Sequence, residues 1–291
     1  MRRSILFVPG NNERMLEKAS TLKPDVVLLD LEDSVPEDDK TKARKAVQDA
    51  LHGLTWKARE VAVRINGINT QHFSDDIKAV AASGFKLIAV PKVETAPEVE
   101  IIEKMIRKFS RSGDVPGILV MIETAKGLIY VEEILSSSSL LKAVEFGAED
   151  FALSMGIHNP SRPDVATLYA RSRIVAAAHA FGVDPIDNVF VDLKDQEGLR
   201  RSAIDAKNMG FVGKLVIHPS QIDVVNEAFS PSRDEMIWAR RVIEAWNENR
   251  KKGRGAFRLD DRMIDLVHIK MAQQILEQAD DLDRADHQNN S

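Results

Sequence analysis

Short apolar runs and amphipathic stretches alternate along most of this chain. The runs are Ser4–Pro9, Val26–Leu31, Val61–Ile65, Leu87–Val93, Gly117–Ile122, Ala143–Phe146, Asn188–Val191 and Lys214–Ile217. They are continuous in Val, Ile and Leu more than alternating, as parallel strands covered on both faces require. Between them, Asp38–Leu51, Phe73–Ser83, Ala96–Phe109 and Asp164–Phe181 predict helices. In the last, Val165, Leu168, Tyr169, Ser172, Val175 and Ala176 recur at helical spacing, and Gly182 stands where a C-cap belongs. Eight such units predict an α/β fold of the (β/α)8 TIM-barrel type; a doubly wound open sheet is the other topology this alternation allows.

After Ser220 the pattern changes. Asp223–Ala228 and Arg233–Lys252 predict helices, Gly253-Arg254-Gly255 breaks the chain, and a short Ala256–Leu259 segment precedes a final helix over Met263–Ala279. The polar end, 280–291, is predicted to fray. The expected organisation is a barrel domain over 1–230 and a C-terminal helical extension over 231–291. That extension would serve as a lid or intersubunit arm, or as a brace across the barrel.

Composition narrows the function. A net charge of −5 with no dense basic block argues against a nucleic-acid partner. No apolar run approaches the ~20 residues that span a bilayer, so no membrane partner is expected. Cysteine is absent, which excludes disulfides, thiolate nucleophiles and thiolate-held zinc. Arg2-Arg3 leads straight into the first strand, leaving no room for a secretory apolar region, and the expected location is cytoplasmic.

The chemistry-bearing side chains follow the strands. Glu123 and Asp150 come just beyond two apolar runs, at the carboxyl edge where α/β proteins build their sites. They are placed either to share a hard cation such as Mg²⁺ or to cap the helices that follow. The second run ends with Asp30, Glu32 and Asp33, and three acids at one mouth repel unless a cation is near. Arg64, inside an apolar run, would clamp a substrate carboxylate or pair internally with Asp30 or Glu32. The fourth run closes with Lys92 and Glu94 as a rim pair. Pro9-Gly10 turns the chain after the first strand, Asn11 or Asn12 can cap the next helix, and Arg14 and Lys18 lie one turn apart on it. Those two cations suit the phosphates of a nucleotide-like handle, or are simply solvated. Together this is equipment for making or breaking a carbon–carbon bond through an enolate, with Mg²⁺ on a 2-oxo acid.

Eight motifs in order carry a resemblance over nearly the whole chain, Arg3 to about Ile275. They are Arg3–Asn11, Leu29–Val35, Val63–Asn66 (V-R-I-N), Pro91–Glu94 (P-K-V-E), Ile122–Gly127, Phe146–Asp150 (F-G-A-E-D), Val216–Ile222 and Met263–Asp265. The chain resembles the citrate lyase β-subunit-like branch of the metal-dependent HpcH/HpaI aldolase superfamily, of the malyl- or citramalyl-coenzyme A lyase type. The resemblance implies a (β/α)8 barrel assembling as a homotrimer or higher oligomer. It implies Mg²⁺, with Mn²⁺ as a substitute, held by Glu123 and Asp150, and Arg64 facing a 2-oxo acid and a thioester enolate. Glu32 or Asp33 would order water or the metal, with Asp30 beside them among the catalytic acids. Coenzyme A, as part of the substrate, would be cradled by Phe7, Arg14 and Lys18, with Lys92, Ile217 and His218 nearby. Asp265 would reach a neighbouring subunit's site. Some relatives carry Tyr where Phe7 stands, so that position offers an apolar wall and no hydroxyl. The implied reaction cleaves a 3-hydroxyacyl-coenzyme A to acetyl-coenzyme A and glyoxylate or pyruvate. The alternative is the citrate lyase β subunit, cleaving a citryl thioester on an acyl-carrier protein to oxaloacetate.

Overall fold

The apolar runs become eight parallel strands that close on themselves in chain order. The structure, a computed structural model, describes residues 1–157, 164–251 and 255–288, except for the side chains of 164–166 and 285–288. Val165 on the predicted helical face, Lys252 and the Gly253-Arg254 part of the glycine break therefore lie outside the description, as do residues 289–291. The chain forms two compact units, Met1–Asn226 and Glu227–Ser291.

In the first unit the strands are β1 Ser4–Pro9, β2 Val26–Asp30, β3 Glu60–Arg64, β4 Leu87–Val90, β5 Gly117–Ile122, β6 Leu141–Phe146, β7 Asp184–Asp187 and β8 Gly213–Val216. β1 pairs with both β2 and β8, which closes the barrel and removes the open-sheet alternative. One interior cluster holds Ile5, Leu28, Ala62, Ala89, Met121, Ala143, Ile186 and Leu215 among others. Burying each Leu or Ile there contributes roughly 1.5–3 kcal/mol, so the strands' continuous apolar character is what closes the barrel.

One predicted strand is misplaced. Asn188–Val191 is a loop, and β7 is instead Asp184–Asp187, whose proline and two aspartates disguise it. Asp187 is tolerated because Lys214 Nζ and Arg171 Nε reach it at 2.6 and 2.9 Å. Burial pushes the Lys214 ammonium below its ordinary pKa even though Asp187 pulls it upward. At the amino ends of the strands, Arg3 holds Asp25, and Arg2 spans Glu60 and Asp184. Those pairs tie the barrel floor and leave the carboxyl edge for other work.

The second unit has its own small core of Ala239, Val242, Phe257, Ile264, Ile269 and Ala272. Helix Arg233–Arg250 starts with Ser232 and Glu235 capping each other's backbone N–H groups. An antiparallel hairpin, Phe257–Leu259 with Arg262–Ile264, turns through Asp260 and Asp261, both at positive φ (45° and 63°). The final helix is Leu266–Gln288, not Met263–Ala279. Met263 belongs to the hairpin, and residues 280–288 continue the helix instead of fraying, with Leu282 buried. Among the described residues no helix is long and apolar enough to cross a membrane.

Candidate active site

The last residue of β2, Asp30, lies in register with Arg64, the last of β3. That pairing determines the site's strongest interaction. Arg64 Nε and Nη2 donate to the two Asp30 oxygens at 2.6 and 2.7 Å, a fork meeting a fork. Nη1 lies 2.9 Å from Glu32 Oε2 as an ion pair, off the line of a hydrogen bond. Of the two roles open to Arg64, the structure therefore displays the internal pair. The guanidinium also stacks over Phe7, its central carbon 4.6 Å from the ring centroid. Burial alone would push Asp30 upward, but Arg64, the Ser34 hydroxyl and the Glu32 N–H hold its carboxyl below the ordinary range. For Glu32, burial outweighs the pull of Arg64 and its pKa is raised.

The loop carrying Glu32 is fixed from below. Lys40, itself buried, donates to the Leu31 and Glu32 carbonyls and to Asn66 Oδ1 at 2.7–2.8 Å. Asn66 in turn donates to Leu31 O and Asp76. The Asn of the V-R-I-N motif is thus a strut for the acidic loop.

After β4, Lys92 adopts φ +55°, a left-handed conformation that costs a non-glycine residue about 1–2 kcal/mol. The twist gives this residue two aims. Its N–H donates to Glu123 Oε2 at 2.9 Å, and its Nζ reaches Glu32 Oε1 at 3.0 Å, Asp33 at 3.8 Å and Asp150 at 3.9 Å. The expected Lys92–Glu94 pair does not form, because Glu94 accepts from Thr124 Oγ1 and Lys126 Nζ instead. Glu98 caps the neighbouring helix Ala96–Phe109 by accepting from the Glu94 and Thr95 N–H groups, which anchors this loop.

Glu123 leaves the end of β5 and is buried. It does not cap the next helix; Thr124 does, accepting from Gly127 N. Its side chain runs across Gly147, where an added Cβ would lie 2.4 Å from Glu123 Cγ and 2.7 Å from Oε1. Only glycine leaves that channel open. Burial first, and then the charge of Glu32, push Glu123 up to about 7 against the pull of Arg64. Asp150, in the first turn of helix Ala148–Ser154, is part-exposed, and its charge raises Glu123 further. Among the described residues no three His, Asp or Glu side chains converge as a closed metal cluster. The acids are spaced around the Lys92 ammonium instead.

One acid is hidden by its setting in an apolar run. Glu145 on β6 pairs in register with Met121 and Ile186, both interior residues, so its side chain enters the barrel. It is fully buried, its Oε2 has no hydrogen-bond partner, and burial together with the charge of Glu123 raises its pKa well above the ordinary value.

The remaining predicted residues lie outside this cluster. Arg14 and Lys18 are exposed on helix Glu13–Ser20, which Asn12 caps by accepting from Met15 N. Ile217 and His218 follow β8; the Ile217 N–H donates to Gln221, and His218 Nδ1 caps a turn at Ser220. Asp265 belongs to the second unit, opening its final helix. It accepts from the Val267 and His268 N–H groups and contacts the His268 ring at 2.7 Å, which holds its pKa below the ordinary carboxylate range.

Asp30, Glu32, Asp33, Arg64, Lys92, Glu123 and Asp150 thus share one carboxyl edge, with Phe7 beneath the arginine. Charged groups gathered at the carboxyl end of the strands are the mark of a (β/α)8-barrel enzyme. The chain belongs to the HpcH/HpaI aldolase/citrate lyase family, whose pattern matches residues 3–219. It is 35% identical over 284 residues to the citrate lyase subunit beta of Leuconostoc mesenteroides subsp. cremoris, covering 96% of this chain and 93% of that protein. It is equally similar, 35% over 297 residues, to the L-malyl-CoA/beta-methylmalyl-CoA lyase of Cereibacter sphaeroides (94% and 93% covered). Among solved structures it resembles Mycobacterium tuberculosis CitE in complex with magnesium, acetoacetate and coenzyme A. The TM-score is 0.80 at 33% identity, covering 95% of this chain and 97% of that one.

Proposed function

We propose that the protein is a Mg²⁺-dependent carbon–carbon lyase that cleaves a 3-hydroxyacyl-coenzyme A of the malyl or citramalyl type, reversibly, to acetyl-coenzyme A and glyoxylate or pyruvate. The observation that carries the proposal is Glu123 threaded past Gly147 at the carboxyl edge, where the charge of Asp150 acts on it. These oxygens suit a hard divalent ion, and the burial that does most to raise Glu123 to about 7, with the added charges of Glu32 and Asp150, is what such an ion would offset. Glu123 and Asp150 would hold Mg²⁺, which when bound supplies Lewis acidity to the carboxylate and neighbouring oxygen of the acid.

The chain's own groups do the rest. In cleavage a base, the water that Glu32 and Asp33 order, takes the substrate hydroxyl proton. The bond between the carbinol carbon and the thioester α-carbon breaks as the carbonyl of the 2-oxo acid forms, and the electron pair of the broken bond enters the thioester enolate. Arg64, charged and fixed by Asp30, supplies positive potential at that edge, and Phe7 forms an apolar wall. Glu32 and Asp33 order water beside the site. Arg14 and Lys18, exposed on the helix after β1, meet the coenzyme phosphates, with Ile217 and His218 beside the handle. Asp265, contributed by an adjoining chain of a trimer, moves the proton at the acetyl carbon, taking it in condensation and returning it in cleavage. The exposed Met263, Leu266, Val267 and Met271 around it suit such packing.

The carrier-protein reading is favoured by one observation, the equal likeness to a citrate lyase β subunit. Assaying the purified chain on malyl-, citramalyl- and citryl-coenzyme A, with Mg²⁺ and with chelator, separates the two. Mg²⁺-dependent release of acetyl-coenzyme A from a malyl or citramalyl thioester is the expected result. Turnover confined to a carrier-bound citryl group would overturn it.

A further inference from the structure

We infer that the Lys92 side chain is an internal stand-in for the divalent ion: it neutralises the rim acids before metal arrives and gives way when it does. The inference rests on the metal reading above and adds a competitor within the site. The ammonium donates to Glu32 and stands within 4 Å of Asp33 and Asp150, so it occupies the ground between acids from β2's loop and the helix after β6. Among the described residues, its Nζ is thereby the cation that comes within 4 Å of a carboxylate proposed as a metal ligand, 3.9 Å from Asp150. An ammonium and a Mg²⁺ ion cannot both sit there, because like charges at that spacing repel.

Two features suit Lys92 to yielding. Its side chain is 40% exposed, in contrast to Arg64 at 11%, which is locked by three carboxylate contacts. Its grip on Glu123 runs through the backbone N–H and not the side chain. The left-handed φ sets that N–H toward Glu123 whatever the ammonium does. One residue therefore fixes one ligand permanently and shields the other temporarily. An arginine fork could not leave as readily, since its bidentate bonds hold it in one geometry.

The inference predicts that removing the ammonium tightens metal binding. Lys92→Met and Lys92→Gly both keep the N–H, and glycine adopts positive φ without strain, so at least one variant retains the loop. Mn²⁺ affinity, read by electron paramagnetic resonance of the free ion, should strengthen about tenfold in both, given the charge removed at this distance. The Mg²⁺-induced rise in melting temperature should grow as well. In the unaltered protein, Mg²⁺ should increase acetylation of Lys92 by acetic anhydride, measured by mass spectrometry, because its ion pair has opened. Unchanged or weaker Mn²⁺ affinity in a folded variant, or protection of Lys92 by Mg²⁺, would overturn the inference while leaving the metal reading intact. Failure of the unaltered chain to bind Mn²⁺ at all would overturn both.

Discussion

A single methyl group placed on Gly147 tests the Glu123 channel without replacing any charged residue. Gly147 has φ −84° and ψ 88°, accessible to alanine, so Gly147→Ala introduces no backbone strain. Its Cβ would meet Glu123 Cγ at 2.4 Å, Oε1 at 2.7 Å and Cδ at 3.0 Å, against an ordinary contact of 3.4–4 Å. Glu123 must therefore move by about 1 Å. It cannot do so freely, because it is buried and Lys92 N–H holds its Oε2 at 2.9 Å. Losing that charge-assisted bond costs about 1.5–3 kcal/mol, a factor of roughly ten to a hundred if it falls on the metal-competent arrangement. Displaced supports of metal ligands weaken affinity by a similar 10–100-fold. Calorimetric titration with Mg²⁺ should show that loss, with melting lowered only by the modest overpacking penalty of about 1–3 kcal/mol. Gly147→Ala binding Mg²⁺ as tightly as the unaltered chain would refute the argument that Glu123 needs this channel to reach a metal.

Other outcomes follow from the same geometry. Arg64→Met leaves buried Asp30 with no cation and Glu32 with Lys92 alone, and should cost about 3–5 kcal/mol in urea unfolding, while Arg64→Lys, lacking the fork, should recover only part. Because Glu123 is held at about 7 when folded, above its unfolded value, its contribution to stability is full below the ordinary carboxylate range. That contribution is lost as pH rises to about 7. Metal-free unfolding should thus lose about 3 kcal/mol between pH 4.5 and 7 from this group, and Glu123→Gln should flatten the slope. The double variant Arg14→Ala/Lys18→Ala should raise KM for a coenzyme A thioester about tenfold, at roughly 0.5–1 kcal/mol per exposed contact. Its kcat should stay within about threefold, so an unchanged KM would remove the phosphate role.

The barrel was legible because its strands are buried on both faces and therefore read as unbroken apolar runs. Where that condition fails, so does the reading. β7 carries Asp184, Pro185 and Asp187, and its charges are cancelled by Arg2, Lys214 and Arg171, residues remote in sequence. The final helix runs past its polar end because Leu282 is buried, and no periodicity count registers that. At the site, strand ends located Glu123, Asp150, Arg64 and the Asp30–Asp33 acids. They did not reveal who pairs with whom. Arg64 divides between Asp30 and Glu32 because of register across β2 and β3, and Lys92 turns away from Glu94 because its backbone is left-handed. Glu145 was concealed within an apolar run, and Gly147 stood in plain view inside F-G-A-E-D, its purpose visible only once Glu123 lay across it.

The direct test is a crystal of the protein grown with Mn²⁺ and a 2-oxo acid, examined for anomalous scattering at the manganese edge. The account predicts one strong peak at bonding distance from both Glu123 and Asp150, with the Lys92 ammonium drawn aside. A peak elsewhere, or none beside those two carboxylates at saturating Mn²⁺, would contradict it.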